Sequence, residues 1–364
     1  EWILYASYNE KSLMHNVLTM KMGRELGIYA SRTQYVEVVI NGEYQGVYVL
    51  MEKIKRDNGR VDIAKLDPDE NSDDDLTGGY IIKIDKGTGT DNGSWTSDHQ
   101  VSNGVSQRIR YYYEYPSEPS ATQQAYIKKY VDDFENALKS NQFTDPDVGY
   151  RKYIDVQSFI KLFLLNEVSR NIDGYRISTF MYKDKDSKGG KLTLGPPWDY
   201  DISYGNANYC QGNRFDLFAY RFNDLCPDDF WQVPFWWPRL MQDPGFLSEL
   251  RDTYLKERES GGIFSNENIT KLIDGLEAEL QQPQARNFQK WQILGQYVWP
   301  QPEPISQTWQ GEVNELRTWL EKRLIWLDSN MPGIYVGVEE IPELTVTAYP
   351  NPFIDVVNVS LEVA

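Results

Sequence analysis

Apolar positions at Leu13, Val17, Leu18 and Met22 recur at helical spacing within residues 12–26, and Gly27 stops the run. The period then falls to two. Residues 34–40 and 43–51 are rich in Val and Tyr, and Asn41-Gly42 between them supplies the two positive-φ residues of a type I′ turn, so a hairpin is predicted. A polar loop over 67–77 leads into a strand at 79–84, and residues 108–115 form a further aromatic strand. This first part reads as a small antiparallel sheet with one helix.

Past Pro116 and Pro119 the pattern turns helical. Residues 122–138 are amphipathic, and residues 155–171 carry Phe159, Leu162, Phe163, Leu164 and Leu165 behind Asp155 as N-cap. A helix apolar almost all round is expected in the middle of a domain. Helices are also predicted at 266–282 and 306–330, the latter with Val313, Leu316, Leu320, Leu324 and Leu327 in one core-facing stripe. The division that follows is a β-rich unit at 1–118, a helical unit at 119–332, a linker at 333–343, and at 344–364 the opening of a further β segment. Glu1 is followed at once by Trp-Ile-Leu-Tyr5, which reads as the interior of an element rather than an export signal, so the chain is expected to start inside a longer sequence.

Charge narrows the functions. The net charge of −17 argues against nucleic acid as a partner, because phosphate backbones select basic surfaces. No apolar run approaches the roughly 18 residues of a membrane-spanning helix. With His15 and His99 the only histidines, a His-rich zinc site or a Ser-His-Asp triad has little support, and both read as structural or surface residues. Cys210 and Cys226 fit neither C-x-x-C nor a zinc spacing; a disulfide in an oxidising compartment and two free thiols both accommodate them. Trp231, Trp236 and Trp237 are either core residues or, in a carbohydrate-binding surface protein, sugar platforms.

The chemistry concentrates between Asn166 and Asn208. Asp173 follows the apolar helix in a loop, residues 176–182 and 191–194 are strand-like about a Lys- and Gly-rich turn, and Gly195-Pro-Pro-Trp-Asp-Tyr-Asp201 follows. A hairpin returns to its own start, so Asp173 and Asp199 are expected at one end of it. Carboxylates gathered in this way repel one another unless a cation or a raised pKa relieves them, and oxygen-rich clusters suit Mg²⁺ or Ca²⁺. Helix, Asp in a loop, hairpin and second Asp is also the layout of a protein-kinase catalytic loop and metal-binding motif. The bland reading is that these are turn-forming aspartates.

These residues resemble a known family. Gly195-Pro-Pro-Trp-Asp-Tyr-Asp-Ile-Ser-Tyr-Gly-Asn206, Asn41-Gly-Glu-Tyr-Gln-Gly-Val-Tyr-Val-Leu-Met-Glu52 and Asn171-Ile-Asp-Gly174 are similar, in that order, to markers of the CotH-type kinases, the spore-coat secretory kinases and their bacterial relatives. The resemblance runs from about residue 2 to about 328 and is more specific for having three motifs than any one would be. It implies an α+β, atypical protein-kinase-like two-lobed fold, with a small antiparallel β N-lobe and a larger, mainly helical C-lobe. It implies transfer of phosphate from ATP to protein Ser or Thr with Mg²⁺ or Mn²⁺, Asp173 as the catalytic residue and Asp199 as the metal-binding one. Asp201 assists the metal or holds the loop, and Glu52, Lys53 and Lys83 are the candidates for phosphate contact or helix tethering.

One departure stands out. The kinase pattern places Asn five residues after the catalytic Asp, and here Ser178 occupies that position, as a weak metal ligand or one replaced by Asn206 or Asn171. The Gly87-Thr-Gly-Thr-Asp-Asn-Gly93 stretch matches no nucleotide-binding glycine motif and reads as a flexible turn. Both features favour the alternative of a catalytically degenerate surface module for protein or cell-wall interaction. Tyr349-Pro-Asn-Pro-Phe353, with Asp-Val-Val-Asn-Val after it, resembles the start of the C-terminal sorting domain of type IX secretion substrates in Bacteroidetes-like bacteria. That resemblance implies a secreted or outer-surface protein; a monomer acting on a secreted or surface protein substrate is expected.

Overall fold

The computed structural model describes residues 1–89, 91, 93–102, 105–334, 344–349 and 358–363, the last two stretches by their backbone alone. Strand β1 (Trp2–Tyr5) and helix α1 (His15–Glu25) precede the hairpin of β2 (Thr33–Ile40) and β3 (Glu43–Glu52). The hairpin turns as the sequence predicts, with Asn41 at φ 52° and Gly42 at φ 83°. β1 pairs with the free edge of β3, giving an antiparallel sheet of order β1-β3-β2. Its register shifts between Val38 and Val39, opposite Gly46. Gly46 sits at φ 114°, and a Cβ there would lie 2.7 Å from Asn287 Oδ1 and 2.9 Å from Trp291 Nε1. Asn287 Oδ1 accepts the Val47 N–H at 2.9 Å, and Trp291 Nε1 donates to the Gln45 carbonyl at 2.8 Å. The glycine of this marker stretch therefore serves close packing of a helix on the bulged strand.

The first part holds two sheets rather than the single one expected. After the short α2 (Asp73–Leu76), strands β4 (Tyr80–Ile84), β5 (Ser94–Gln100) and β6 (Arg108–Tyr115) join β7 (Thr179–Lys183) and β8 (Thr193–Leu194) in a second antiparallel sheet, β5-β6-β4-β7-β8. β4 thus pairs with a strand about a hundred positions away, Lys83 lying opposite Phe180 and Tyr112. Alternation sorts the faces. Ile82, Ile84, Tyr111, Tyr113 and Met181 turn to the main core, while Ile81 and Phe180 face a smaller cluster with Ile54, Val61 and Ile63. Lys83 and Tyr112 share that second face by register.

Helix α3 (Ala121–Lys139) opens with a capping box between Ser120 and Gln123. Helix α4 (Val156–Ser169) starts at Asp155, whose carboxylate accepts from the N–H groups of Gln157 and Ser158, and nearly all of it is buried. Strand β7 starts at Thr179 rather than 176, because Tyr175 (φ 72°) and Ser178 (φ 50°) take left-handed conformations that no strand accommodates.

The chain continues through α5 (Phe222–Leu225), α6 (Trp236–Leu240), α7 (Pro244–Arg258), α8 (Asn266–Leu280), α9 (Pro283–Lys290) and α10 (Trp309–Asn330); α1, α7 and α10 pack on α4, and α9 packs on β3. The α10 stripe is buried as predicted. Trp236 and Trp237 are each 1% exposed, so neither is placed to be a sugar platform; Trp231 is the exposed member of the three. Cys210 and Cys226 form a disulfide. No helix among the described residues is long and apolar enough to cross a membrane. At the end, β9 (Leu344–Tyr349) and β10 (Asn358–Val363) pair antiparallel. The predicted linker from 335 onward and Pro350-Asn-Pro-Phe353 lie outside the described residues.

Candidate active site

The β7–β8 hairpin brings the chain back to where it leaves α4, and one side chain records the meeting. Asn171 Oδ1 accepts the Asp173 N–H at 3.1 Å, and Asn171 Nδ2 donates to the Asp199 carbonyl at 3.2 Å. The helix can end there because Arg170 adopts φ 44°, its guanidinium donating to the carbonyls of Leu217 and Gln211. The Trp198–Asp201 segment is fixed from two helices. The Tyr200 N–H donates to Asn16 Oδ1 of α1 at 2.8 Å, and the buried Tyr200 hydroxyl donates to Asn166 Oδ1 of α4 at 2.6 Å. Asp201 is held from below: its Oδ2 accepts from Asn9 Nδ2 at 2.5 Å, and its carbonyl accepts from Asn206 Nδ2 at 2.9 Å. His15 Nδ1 lies 3.3 Å from the same carbonyl.

Asp173 is 8% exposed, and its Oδ1 accepts from Arg176 Nη2 at 2.5 Å. Arg176 in turn donates to Asp229 and to the Trp231 carbonyl, both at 3.1 Å, and its guanidinium lies 4.0 Å from the centre of the Phe222 ring. Burial raises the Asp173 pKa above the ordinary carboxylate range; Arg176 and Lys86 oppose that shift, and Asp201 and Asp229 add to it. Asp199, at φ 61°, is open to solvent on one side and crowded by protein on the others. Crowding pushes its carboxyl well above the usual range, followed by the charge of Asp201, a carboxyl–carboxyl hydrogen bond with it, and the charges of Asp173 and Asp85. Because water reaches the open side, desolvation is screened there, and the neighbouring carboxylates are the robust cause of the direction.

The structure thus brings Asp173, Asp199 and Asp201 together. Ser178 joins them through its backbone, its N–H donating to Asp85 Oδ1 at 3.4 Å. Lys83 stands next to this group, its Nζ 3.8 Å from Asp85, 3.9 Å from Asp91 and 3.2 Å from Glu114. Lys53 is a surface residue paired with Glu1 at 3.3 Å; with Lys83 it lines a separate cleft of about 480 Å³. Glu52 is 0% exposed, and its carboxylate is engaged by Arg32 and by Arg60 at 3.4 Å.

Three participants have no clear sequence signal. Asp85 reaches the group only because β4 pairs with β7. Asn9 comes from a loop distant in sequence. Arg176 carries one weak cue, its position three residues after Asp173. Beside the group opens a cleft of about 670 Å³ whose walls include Asp85, Arg108, Arg110, Tyr112, Arg176 and Trp231.

Asp199 and Asp201 offer hard carboxylate oxygens, the donors that Mg²⁺ and Mn²⁺ take, and the repulsion that raises Asp199 is what a divalent cation relieves. Among the described residues no three His, Cys, Asp or Glu side chains are arranged as a complete cage. One or two carboxylates completed by substrate phosphates and water is the usual magnesium pattern, so the pair fits a metal–nucleotide complex better than a bare ion. No curated protein matches the chain. The family model described as CotH kinase protein matches residues 1–327, spanning both sheets, the Asp173 loop and the Trp198–Asp201 segment. The chain belongs to the CotH kinase protein family.

Proposed function

We propose that this protein is a phosphotransferase that moves the γ-phosphoryl group of ATP to a Ser or Thr hydroxyl of a secreted or surface protein. The observation that carries the reading is the Asn171 bridge, which holds the loops of Asp173 and Asp199 against one another. Kinase families in general use ATP with a divalent metal. Asp199 and Asp201 would hold Mg²⁺ or Mn²⁺, which when bound neutralises phosphate charge. Asp173 accepts the proton of the attacking hydroxyl as its oxygen bonds to the γ-phosphorus; the bond to the ADP oxygen breaks, and the proton passes on to solvent. Arg176 orients Asp173, and release of that ion pair to incoming phosphate would free the carboxylate. Lys83 is the better placed of the two lysines for phosphate contact, since it neighbours Asp85. The 670 Å³ cleft suits a nucleotide, with Arg108, Arg110 and Arg176 for phosphates and Tyr112 or Trp231 for a base. Export is supported by the Cys210–Cys226 disulfide, a bond of oxidising compartments, and by the tail's resemblance to a sorting domain.

A second reading, a degenerate kinase-like surface module, draws on Ser178, whose N–H serves Asp85, and on the engagement of Asp173 by Arg176. Incubation with labelled ATP and Mg²⁺ or Mn²⁺ separates the two. Autophosphorylation or transfer to a generic protein acceptor is expected, falling by about 10²–10⁴-fold in Asp173→Asn and lost in Asp199→Ala. Absence of both transfer and metal-dependent nucleotide binding in the unaltered protein decides for the module.

A further inference from the structure

Two cations act on the Asp173 carboxyl, Arg176 and Lys86. Arg176 is buried and spends its guanidinium on Asp173, Asp229 and the carbonyls of Ile172 and Trp231. Lys86 is exposed, and its ammonium makes no hydrogen bond or ion pair among the described residues. Its Nζ lies over the indole of Trp231 instead, 5.2 Å from the ring centre. Lys83, three residues earlier, is shared among Asp85, Asp91 and Glu114. Lys86 is therefore the uncommitted member of the pair that faces Asp173.

The backbone beneath Lys86 is anchored to the Asp173 loop. β4 pairs with β7 so that Ile84 lies opposite Thr179, and one step further sets Asp85 beside Ser178. Asp85 Oδ1 accepts the Lys86 N–H at 2.8 Å and the Ser178 N–H at 3.4 Å. One carboxylate thus ties the turn that carries Lys86 to the loop that carries Asp173. The indole is anchored from the other direction. The Trp231 carbonyl accepts from Arg176 Nη1 at 3.1 Å, the Trp231 N–H donates to Asp229 Oδ1 at 2.8 Å, and Arg176 Nη2 donates to Asp173. Asp85, Gly87 and Trp231 all line the 670 Å³ cleft, so the ammonium stands among residues of its wall.

We propose that Lys86 is a further catalytic residue, whose ammonium contacts the γ-phosphoryl oxygens of ATP beside Asp173; the inference rests on the phosphotransfer reading above. A lysine suits the task. It carries three donors on a flexible four-carbon stem, and an exposed contact with a ring is weaker than charge-assisted hydrogen bonds to phosphate. The need for it follows from Ser178. Where the kinase pattern has an Asn to help hold a second metal, this chain has a serine, a poorer ligand, so less positive charge faces the transferring group. An ammonium supplies charge there without needing ligands of its own. It keeps its protons throughout. As the acceptor oxygen bonds to the γ-phosphorus and the bond to the ADP oxygen breaks, the ammonium offsets charge on the equatorial oxygens, while Asp173 takes the hydroxyl proton.

The test compares β,γ-imido-ATP with ADP, each with Mg²⁺, by calorimetric titration of the unaltered protein, Lys86→Met and Lys86→Arg. A contact with the γ-phosphoryl group belongs to the triphosphate alone. Lys86→Met should therefore weaken the imido analogue about tenfold and leave ADP unchanged, and Lys86→Arg should keep most of the affinity. Because the side chain is exposed, thermal unfolding of Lys86→Met should match that of the unaltered protein. Transfer from labelled ATP should fall about 10²–10³-fold in Lys86→Met. Analogue binding unchanged in Lys86→Met, or weakened equally for analogue and ADP, overturns this inference and leaves the phosphotransfer reading standing. Failure of the unaltered protein to bind either nucleotide overturns both. The titrations need no turnover, so a protein that binds nucleotide without transferring phosphate still decides the role of Lys86.

Discussion

Arg176 opposes the rise in proton affinity that burial gives Asp173, and that relation has a measurable sign. Burial raises the Asp173 carboxyl, and the guanidinium at 2.5 Å is the leading influence in the opposite direction. The form that accepts a proton from a hydroxyl is the carboxylate, so transfer activity should rise with pH along a limb lying above the ordinary aspartate range. Removing the cation favours the neutral acid, so Arg176→Leu should move that limb to higher pH, with Arg176→Lys between the two. A profile of kcat/KM against pH checks it; an unmoved limb would mean that Arg176 only holds the 229–231 turn. Legibility at this scale was uneven. Asp173, Asp199 and Asp201 could be read from their places around a hairpin, because a hairpin's ends meet by geometry. Asp85, Asn9 and the ion pair of Arg176 could not, because each depends on chain segments that only the tertiary fold brings together.

Single elements explain the fate of the residues at the end of β3. Glu52 looked like a phosphate-site or tethering residue because it is charged and closes a marker stretch. In the fold it is a buried carboxylate shared by Arg32 and Arg60, and its carbonyl also accepts from the Ser31 hydroxyl at 2.9 Å. Glu52→Ala should therefore lower unfolding stability by about 1–3 kcal/mol, the scale of losing a hydrogen-bonded buried acceptor, without changing nucleotide affinity. Denaturant titration beside nucleotide binding tests both halves; a large loss of affinity at unchanged stability would return Glu52 to the site. Helices with a one-sided stripe or a capping residue, such as α10 and α4, were legible, since spacing and caps are local. Strand β5 was not. It has no alternation strong enough to mark it and exists because β6 offers it an edge.

Across the whole molecule, the pairing of β4 with β7 decides what can move. Residues before and after the proposed boundary at 118 share one five-stranded sheet, with β7 hydrogen-bonded on both sides. This choice of partner was invisible in the sequence, where any two apolar strands look compatible. Amide exchange should find the β4 and β7 N–H groups among the slowest, close to global unfolding, while the 226–232 turn exchanges through local opening. Equal protection of turn and strands would contradict it. A protein sewn through its middle cannot gape like a clam. Phe230 and Trp231 line the large cleft, a few residues beyond the Cys210–Cys226 bond. Reducing agents, by cutting that bond, should change how fast a guest is admitted before they change how tightly it is held.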